Sequence, residues 1–197
     1  MQELHLVSPI PPSVNHYLAY RAIMKGKKPL AVSYKTPEAV KYKKKFAEYV
    51  KQEVKAQKWD NPLDKYQHFY VDATFYFPRT DMDSNNYWKC MLDSITDTQL
   101  IWCDDNVVCE RTQGIYYDVD NPRVELVIRK TDYIGVFDDA PQLEAFVSNY
   151  CIGCRYGTRN CSVLQNAKEG RIQAEFADGV CNKYTKRKGT KGGNRNG

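Results

Sequence analysis

From Phe69 to Phe77 the chain alternates strictly: Phe69, Val71, Ala73, Phe75 and Phe77 are apolar, and Tyr70, Asp72, Thr74 and Tyr76 lie between them. A period of two predicts a half-buried strand, and Pro78 ends it. Leu4, Leu6 and Val7 predict a short first strand, stopped by the Pro9-Ile10-Pro11-Pro12 cluster. Residues 17–23 and 30–34 predict a hairpin across Lys25-Gly26. Thr36-Pro37-Glu38 is a helix start, with a capping hydroxyl, a proline at the first position and an acid toward the positive end of the dipole. Tyr42, Phe46, Val50 and Val54 then recur as one apolar stripe, opposite Lys41, Lys43, Lys44, Lys45, Lys51 and Lys55. A second helix, capped by Asp83 or Ser84, is predicted to run to about Thr96, with Tyr87, Trp88, Met91, Leu92 and Ile95 facing the core. Strands follow near 107–117 and 124–128.

This order predicts an α/β layer: a small mixed sheet with two main helices. After Lys130 the composition changes. Residues 131–150 read as a connector with a short helix at about 141–147, and 151–182 as a cysteine-bearing module. Residues 183–197 read as a disordered basic tail. That tail holds six of the cations and no acid, so the chain's net +5 leaves the body at −1, which points to a polyanionic partner. No apolar run is long enough to span a membrane. MQELHLVSPIPPS has no basic region followed by an apolar core, so a cytoplasmic protein is expected, its seven cysteines serving as thiols or metal ligands rather than disulfides. Cys90, Cys103 and Cys109 read as buried core thiols.

The chemistry concentrates between Phe77 and Asp105. Asp81 and Asp83 open this stretch where strand gives way to helix, Asp104 and Asp105 close it, and Lys89 stands between. Carboxylates are hard oxygen ligands suited to Mg²⁺. Several of them converging from separate elements can support two-metal phosphodiester hydrolysis, with Lys89 facing the phosphate as its charge grows. The plainer reading is that Asp81 and Asp83 cap the helix. A calcium loop fails, because Asn86 and Leu92 occupy the positions that need glycine and glutamate. His5, His16 and His68 are too scattered for a histidine metal site.

Together, PPSVNHY at 11–17, the 81–89 segment, Asp93 and Trp102-Cys-Asp-Asp105 resemble the RusA-type Holliday junction resolvases over about residues 1–130. The resemblance implies a small α/β homodimer in a bacterial cytoplasm, of cellular, phage or prophage origin, that uses Mg²⁺, with Mn²⁺ able to substitute, to nick four-way DNA junctions symmetrically in recombination and repair. It implies metal-binding aspartates at Asp81, Asp83 and Asp105, and a catalytic lysine at Lys89. The family pattern places asparagine directly after the second aspartate, whereas here Ser84 intervenes. Either two residues are inserted and Asp81/Asp83 are the ligands, or a gapless match makes them Asp83/Asn85. A carboxylate binds Mg²⁺ better than an amide, which favours the insertion. A non-catalytic branched-DNA binder, or a nuclease preferring forks or flaps, are the competing readings.

Outside that resemblance, Cys151-x₂-Cys154-x₆-Cys161-x₁₉-Cys181 is a four-thiolate set. A tetrahedral Zn²⁺ would let a segment too short for its own core fold, and the irregular spacing leaves an Fe–S cluster as the alternative. Arg155, Arg159, Arg171 and the tail would turn this module toward DNA. The expected DNA contacts are Asn15, Lys43, Lys44, Asn86, Arg155, Arg159, Lys186, Arg187 and Lys188.

Overall fold

The computed structural model describes residues 2–60, 62–157, 159, 161–177 and 179–187. Two compact units divide the chain, Met1–Lys130 and Thr131–Gly197. The first contains β1 (Glu3–Pro9), α1 (Val14–Tyr17), β2 (Leu18–Lys25), β3 (Lys28–Lys35), α2 (Pro37–Ala56), β4 (Phe69–Phe77), α3 (Trp88–Thr96), β5 (Val108–Tyr117) and β6 (Arg123–Lys130). Its main sheet has the order β1-β6-β4-β5. β4 pairs antiparallel with β6 and parallel with β5, so the mixed sheet follows from α3 serving as the crossover between two parallel neighbours.

The alternation of β4 decides the layering. Phe69, Val71, Ala73, Phe75 and Phe77 are all buried, and share one core with Tyr42, Phe46 and Val50 of α2 and Met91, Leu92 and Ile95 of α3. Both helices therefore cover the same face. The N-cap of α2 forms as its sequence suggests, Thr36 Oγ1 accepting from Ala39 N at 3.2 Å. The second predicted helix differs at its start. Asp83 Oδ1 accepts from Asn85 N at 3.0 Å and caps a 3-10 turn over Ser84–Asn86, and the α-helix begins only at Trp88. Three adjacent polar side chains at 84–86 favour local side chain-to-backbone bonds over a helical ladder.

The other face of β4 carries arginines in place of a helix layer. The Arg111 guanidinium lies 4.0 Å from the Tyr70 ring centroid, and that of Arg123 lies 3.7 Å from Tyr76, both within cation–π range. Asp72 accepts from Arg111 Nε at 2.7 Å and Nη2 at 2.6 Å, and from Gln113 Nε2 at 2.6 Å. β2 and β3 stand apart as a two-stranded ribbon, turning at Gly26, whose φ of +66° suits glycine.

Two sequence expectations are corrected in this unit. Lys43 is not on the exposed basic face of α2: its side chain is 8% exposed and pairs with Asp97 Oδ2 at 2.8 Å. It adjoins Tyr42 on the stripe, so a helix that packs on both sheet and α3 draws it in. Cys103 is exposed and Cys109 half-buried, leaving Cys90 as the buried thiol of the three.

The second unit holds α4 (Ala140–Phe146), a wider helical turn Val147–Cys151, α5 (Ser162–Lys168) and a small hairpin of β7 (Phe176–Ala177) and β8 (Val180–Cys181). It has its own core of Phe137, Phe146, Cys151, Leu164 and Ala167. Residues 131–150 are thus part of a folded unit rather than a connector, because Phe137 and Phe146 supply its largest apolar surfaces. Gly135 has φ +60°, and a Cβ there would lie 2.0 Å from the Ala167 carbonyl oxygen, so only glycine fits. The start of the expected disordered tail is also corrected. Arg155 N donates to Thr185 O at 2.7 Å and Arg187 N to Gly153 O at 2.9 Å, which ties 185–187 to the cysteine loop. Lys188 and the rest of the tail lie outside the described residues.

Burial alone would raise the Asp72 carboxyl, but the bonds from Arg111 and Gln113 and the charges of Arg111 and Arg129 outweigh it and hold it below the usual carboxylate range. A depressed folded pKa adds stability that is present above the unfolded value and lost as pH falls through the folded one. Asp72→Asn should therefore cost about 1–2 kcal/mol near neutrality, with part of the acid-side loss of stability removed. Denaturant melts from pH 7 down to pH 3 check both, and an equal cost at every pH would contradict the assignment.

Candidate active site

Lys89 lies in the first turn of α3 and is held by two carboxylates. Its Nζ donates to Asp93 Oδ1 at 2.7 Å and to Asp105 Oδ2 at 3.3 Å. Asp93 is one helical turn further on, so the shorter contact follows from i,i+4 spacing on one face. Asp105 comes from the turn that leads into β5, with Asp104 Oδ1 capping that turn by accepting from Asn106 N at 3.1 Å. Tyr17 Oη, from the end of α1, donates to the second oxygen of Asp93 at 2.5 Å. Three separate segments thus meet at Lys89 and Asp93.

The electrostatics are consistent with this arrangement. The hydrogen bond to Asp93 raises the Lys89 pKa; burial opposes it, and the charges of Asp93 and Asp105 add to the rise. For Asp93, burial pushes upward, but hydrogen bonds from Lys89 and Tyr17 and the charges of Lys89 and Lys43 leave it lowered. Lys89 is therefore a firm cation with its side chain still 54% exposed, able to meet an anion from solvent. Sequence reasoning missed Tyr17 as a partner of Asp93, and Glu110 as a neighbour of the site. Glu110 is raised by burial and then by the Asp105 charge, with Lys89 opposing. Its position five residues after Asp105 was the available signal.

The remaining acids sit elsewhere. Asp81 is exposed on the turn after β4 and pairs with Arg79 Nε at 3.1 Å, while Asp83 caps its own turn. Because β4 and β5 are parallel, Asp81 and Asp83 follow the C-terminal end of one strand and Asp105 precedes the N-terminal end of the other. The structure brings Lys89 and Asp105 together and does not join Asp81 and Asp83 to them. Among the described residues, no three His, Cys, Asp or Glu side chains form a group that could hold a metal ion.

Of the expected DNA contacts in this unit, Asn15 and Lys44 are exposed and Asn86 is half-buried. Lys44 borders a shallow hollow of about 450 Å³ with Lys41, Lys45 and Tyr49. In the second unit Arg155, Arg159, Lys186 and Arg187 are exposed, whereas Arg171 pairs with Glu169 Oε2 at 2.8 Å.

The thiols of that unit share one neighbourhood. Cys151 is buried in its core, and Cys161 and Cys181 pack against the same cluster. Burial, with Cys161, Cys181 and Cys154 adding as negative neighbours, pushes the Cys151 thiol up to about 11. Cys154 moves the other way: burial opposes, but bonds from the backbone N–H groups of Thr185, Tyr156, Gly157 and Arg155 lower it.

This lysine–carboxylate network stands on a small mixed-sheet α/β layer. A family model described as Endodeoxyribonuclease RusA matches residues 9–129, and the chain belongs to the RusA family, whose members resolve Holliday junctions. No curated protein matches it.

If Asp93 is the main partner of Lys89, Asp93→Asn should lower the Lys89 pKa toward its ordinary value. Tyr17→Phe, which keeps the carboxylate, should move it less. Side-chain NMR titration of Lys89 reads both, and an unmoved pKa in Asp93→Asn would assign the role to Asp105.

Proposed function

We propose that this chain is a Mg²⁺-dependent endonuclease that cuts four-way DNA junctions by paired, symmetric nicks. The observation that carries the proposal is the Lys89 ammonium held jointly by Asp93 and Asp105. A branched-DNA binder without chemistry has no use for carboxylates set beside the cation that meets phosphate. Asp105 is the hard oxygen donor that stands beside Lys89, and Asp83 and Asp81, which lie apart from it here, would complete a site for Mg²⁺ or Mn²⁺ only if brought to it. The ion, when bound, supplies an activated water and offsets leaving-group charge.

The chain's own residues do the rest. Lys89 meets the charge that grows on the phosphate oxygens, an interaction worth most when the cation is fixed in place beforehand. Asp93 fixes it, and Tyr17 fixes Asp93. Lys44 and Asn15, both exposed, would meet the DNA backbone. Two equivalent nicks on a two-fold symmetric junction require two equivalent sites, hence a homodimer.

We also propose that Cys151, Cys154, Cys161 and Cys181 bind one structural Zn²⁺. Backbone hydrogen bonding lowers the Cys154 thiol, which suits a thiolate, and the other three thiols adjoin one core, although the four do not stand as a ready metal group in this structure. A closed four-thiolate site leaves no position for water, so its role is structural. The metal would reinforce the unit's small core, and Arg155, Arg159, Lys186 and Arg187 would meet DNA from the same module.

Asp105→Asn should abolish junction cleavage while binding persists or tightens, since a ligand charge is lost together with repulsion against phosphate. Near wild-type cleavage by that variant would sink the metal assignment. Asp81→Asn and Asn85→Ala, assayed together with labelled four-way, forked and linear DNA, separate the two alignments: a dead Asp81→Asn beside an active Asn85→Ala supports the insertion. Light scattering of the same preparations should give about twice the 22.8 kDa of one chain.

For the cysteine site, elemental analysis should find one zinc per chain, lost in Cys154→Ser. Iron with visible absorption would replace zinc by a cluster, and protein free of either metal would remove the site.

A further inference from the structure

The β2–β3 ribbon is the part of the first unit that its core does not explain. A lone two-stranded hairpin is marginally stable in water and ordinarily packs on something. Here the main sheet does not continue it, and its residues are exposed almost throughout, on both faces. Ile23 and Leu30 are cross-strand partners, as are Met24 and Pro29, so the tip presents apolar groups on each side. Met24 is 67% exposed and Leu30 47%. Around this tip stand Arg21, Lys25, Lys27 and Lys28, and no acidic residue occurs anywhere from Leu18 to Lys35.

That combination selects the occupant. A second copy of the ribbon would bring cations against cations. A purely electrostatic arm would not expose methionine and leucine at its end. Branched DNA offers both complements: phosphates for the lysines, and base faces left open where helices part. Architectural proteins use apolar wedges between bases in this way, and a two-stranded ribbon fits a DNA groove.

The base of the ribbon is anchored next to the site. Tyr17 directly precedes β2, and its backbone oxygen accepts from Thr36 N, just after β3, at 3.1 Å. Thr36 Oγ1 donates to His16 O at 2.7 Å. The same Tyr17 holds Asp93 through its hydroxyl, and Asp93 holds Lys89.

We propose that the β2–β3 ribbon is a DNA arm whose apolar tip, Ile23, Met24 and Leu30, packs on bases at the branch point while Arg21, Lys25, Lys27 and Lys28 grip the flanking phosphates. This deepens the nuclease proposal and rests on it for the substrate. The arm's rooting at Tyr17 sets the branch point in a defined relation to Lys89.

The test uses the full chain without divalent ions, with a four-way junction carrying 2-aminopurine at the branch and a linear duplex of matching sequence. Wild-type protein should change the 2-aminopurine fluorescence. Met24→Ala/Leu30→Ala should lose that change and about tenfold in junction affinity, roughly one decade in Kd, with duplex affinity unchanged. Lys25→Ala/Lys27→Ala/Lys28→Ala should reduce the slope of log K against log salt by about 2–3, near one for every phosphate no longer neutralised. Wild-type junction binding and fluorescence in the tip variant would overturn the proposal, as would a shift of either variant to half the wild-type mass, which would make the ribbon a contact between copies. Adding Mg²⁺ afterwards separates the two ideas. Arm-dependent binding without cleavage would sink the nuclease and leave the arm, whereas cleavage with arm-independent binding would do the reverse.

Discussion

Everything in the first unit depends on one strand having two unlike faces. The odd positions of β4 are fully buried beneath α2 and α3, and its even positions are dressed by Arg111, Arg123 and Arg129. A one-residue slip would put Asp72 into an aromatic core and Phe75 among guanidinium groups, so the register is strongly specified. Because β4 is interior to the sheet, its register also fixes those of β5 and β6. Parallel pairing with β5 then compels a crossover, and that crossover is α3, which carries Lys89 and Asp93. The site is thus a consequence of how β4 must be paired, not an addition to the layer.

Within the site, charge balance accounts for which residues must be neighbours. A lysine fixed by a single exposed carboxylate would be a surface ion pair of small worth. Asp93 is partly buried, and burial by itself would disfavour its charge. It stays ionised because Lys89 and Tyr17 both donate to it. Tyr17 in turn holds its own proton firmly, its pKa raised by burial and then by the bond to Asp93. The network makes Lys89 a fixed cation whose ammonium still faces solvent, the state in which a cation is most useful against developing negative charge.

Much of this was legible in the chain, for physical reasons that differ by element. The period of β4, the Thr36-Pro37 cap and the apolar stripe of α2 are local signals, and the structure follows them. Lys89 and Asp105 each stand out by residue type, but residue type grouped Asp105 with Asp81 and Asp83, whereas the structure sets it beside Lys89. Tyr17 does not stand out: its hydroxyl reaches Asp93 across 76 residues, and nothing local marks a tyrosine as a donor to a distant acid. Lys43 misled in the opposite sense. Helical spacing placed it among exposed lysines, but the packing of α3 against α2 buried it onto Asp97. The core of the second unit was missed because Phe137 and Phe146 carry no periodicity, and only tertiary contact shows them meeting Phe176.

The second unit also changes what a thiolate site has to do. A segment with no apolar interior would need metal to fold at all, as small zinc modules do. Here Phe137, Phe146, Leu164 and Ala167 already bury apolar surface, and the chain after Cys181 returns to hydrogen-bond the Cys151–Cys154 loop through Thr185 and Arg187. That core leaves the thiols beside it in unlike states. Cys151 keeps its proton, and Cys154 draws on backbone N–H groups. If the proposed zinc binds, it would displace the Cys151 proton and use the thiolate character favoured at Cys154, so metal in this unit would act on charge first and on packing second.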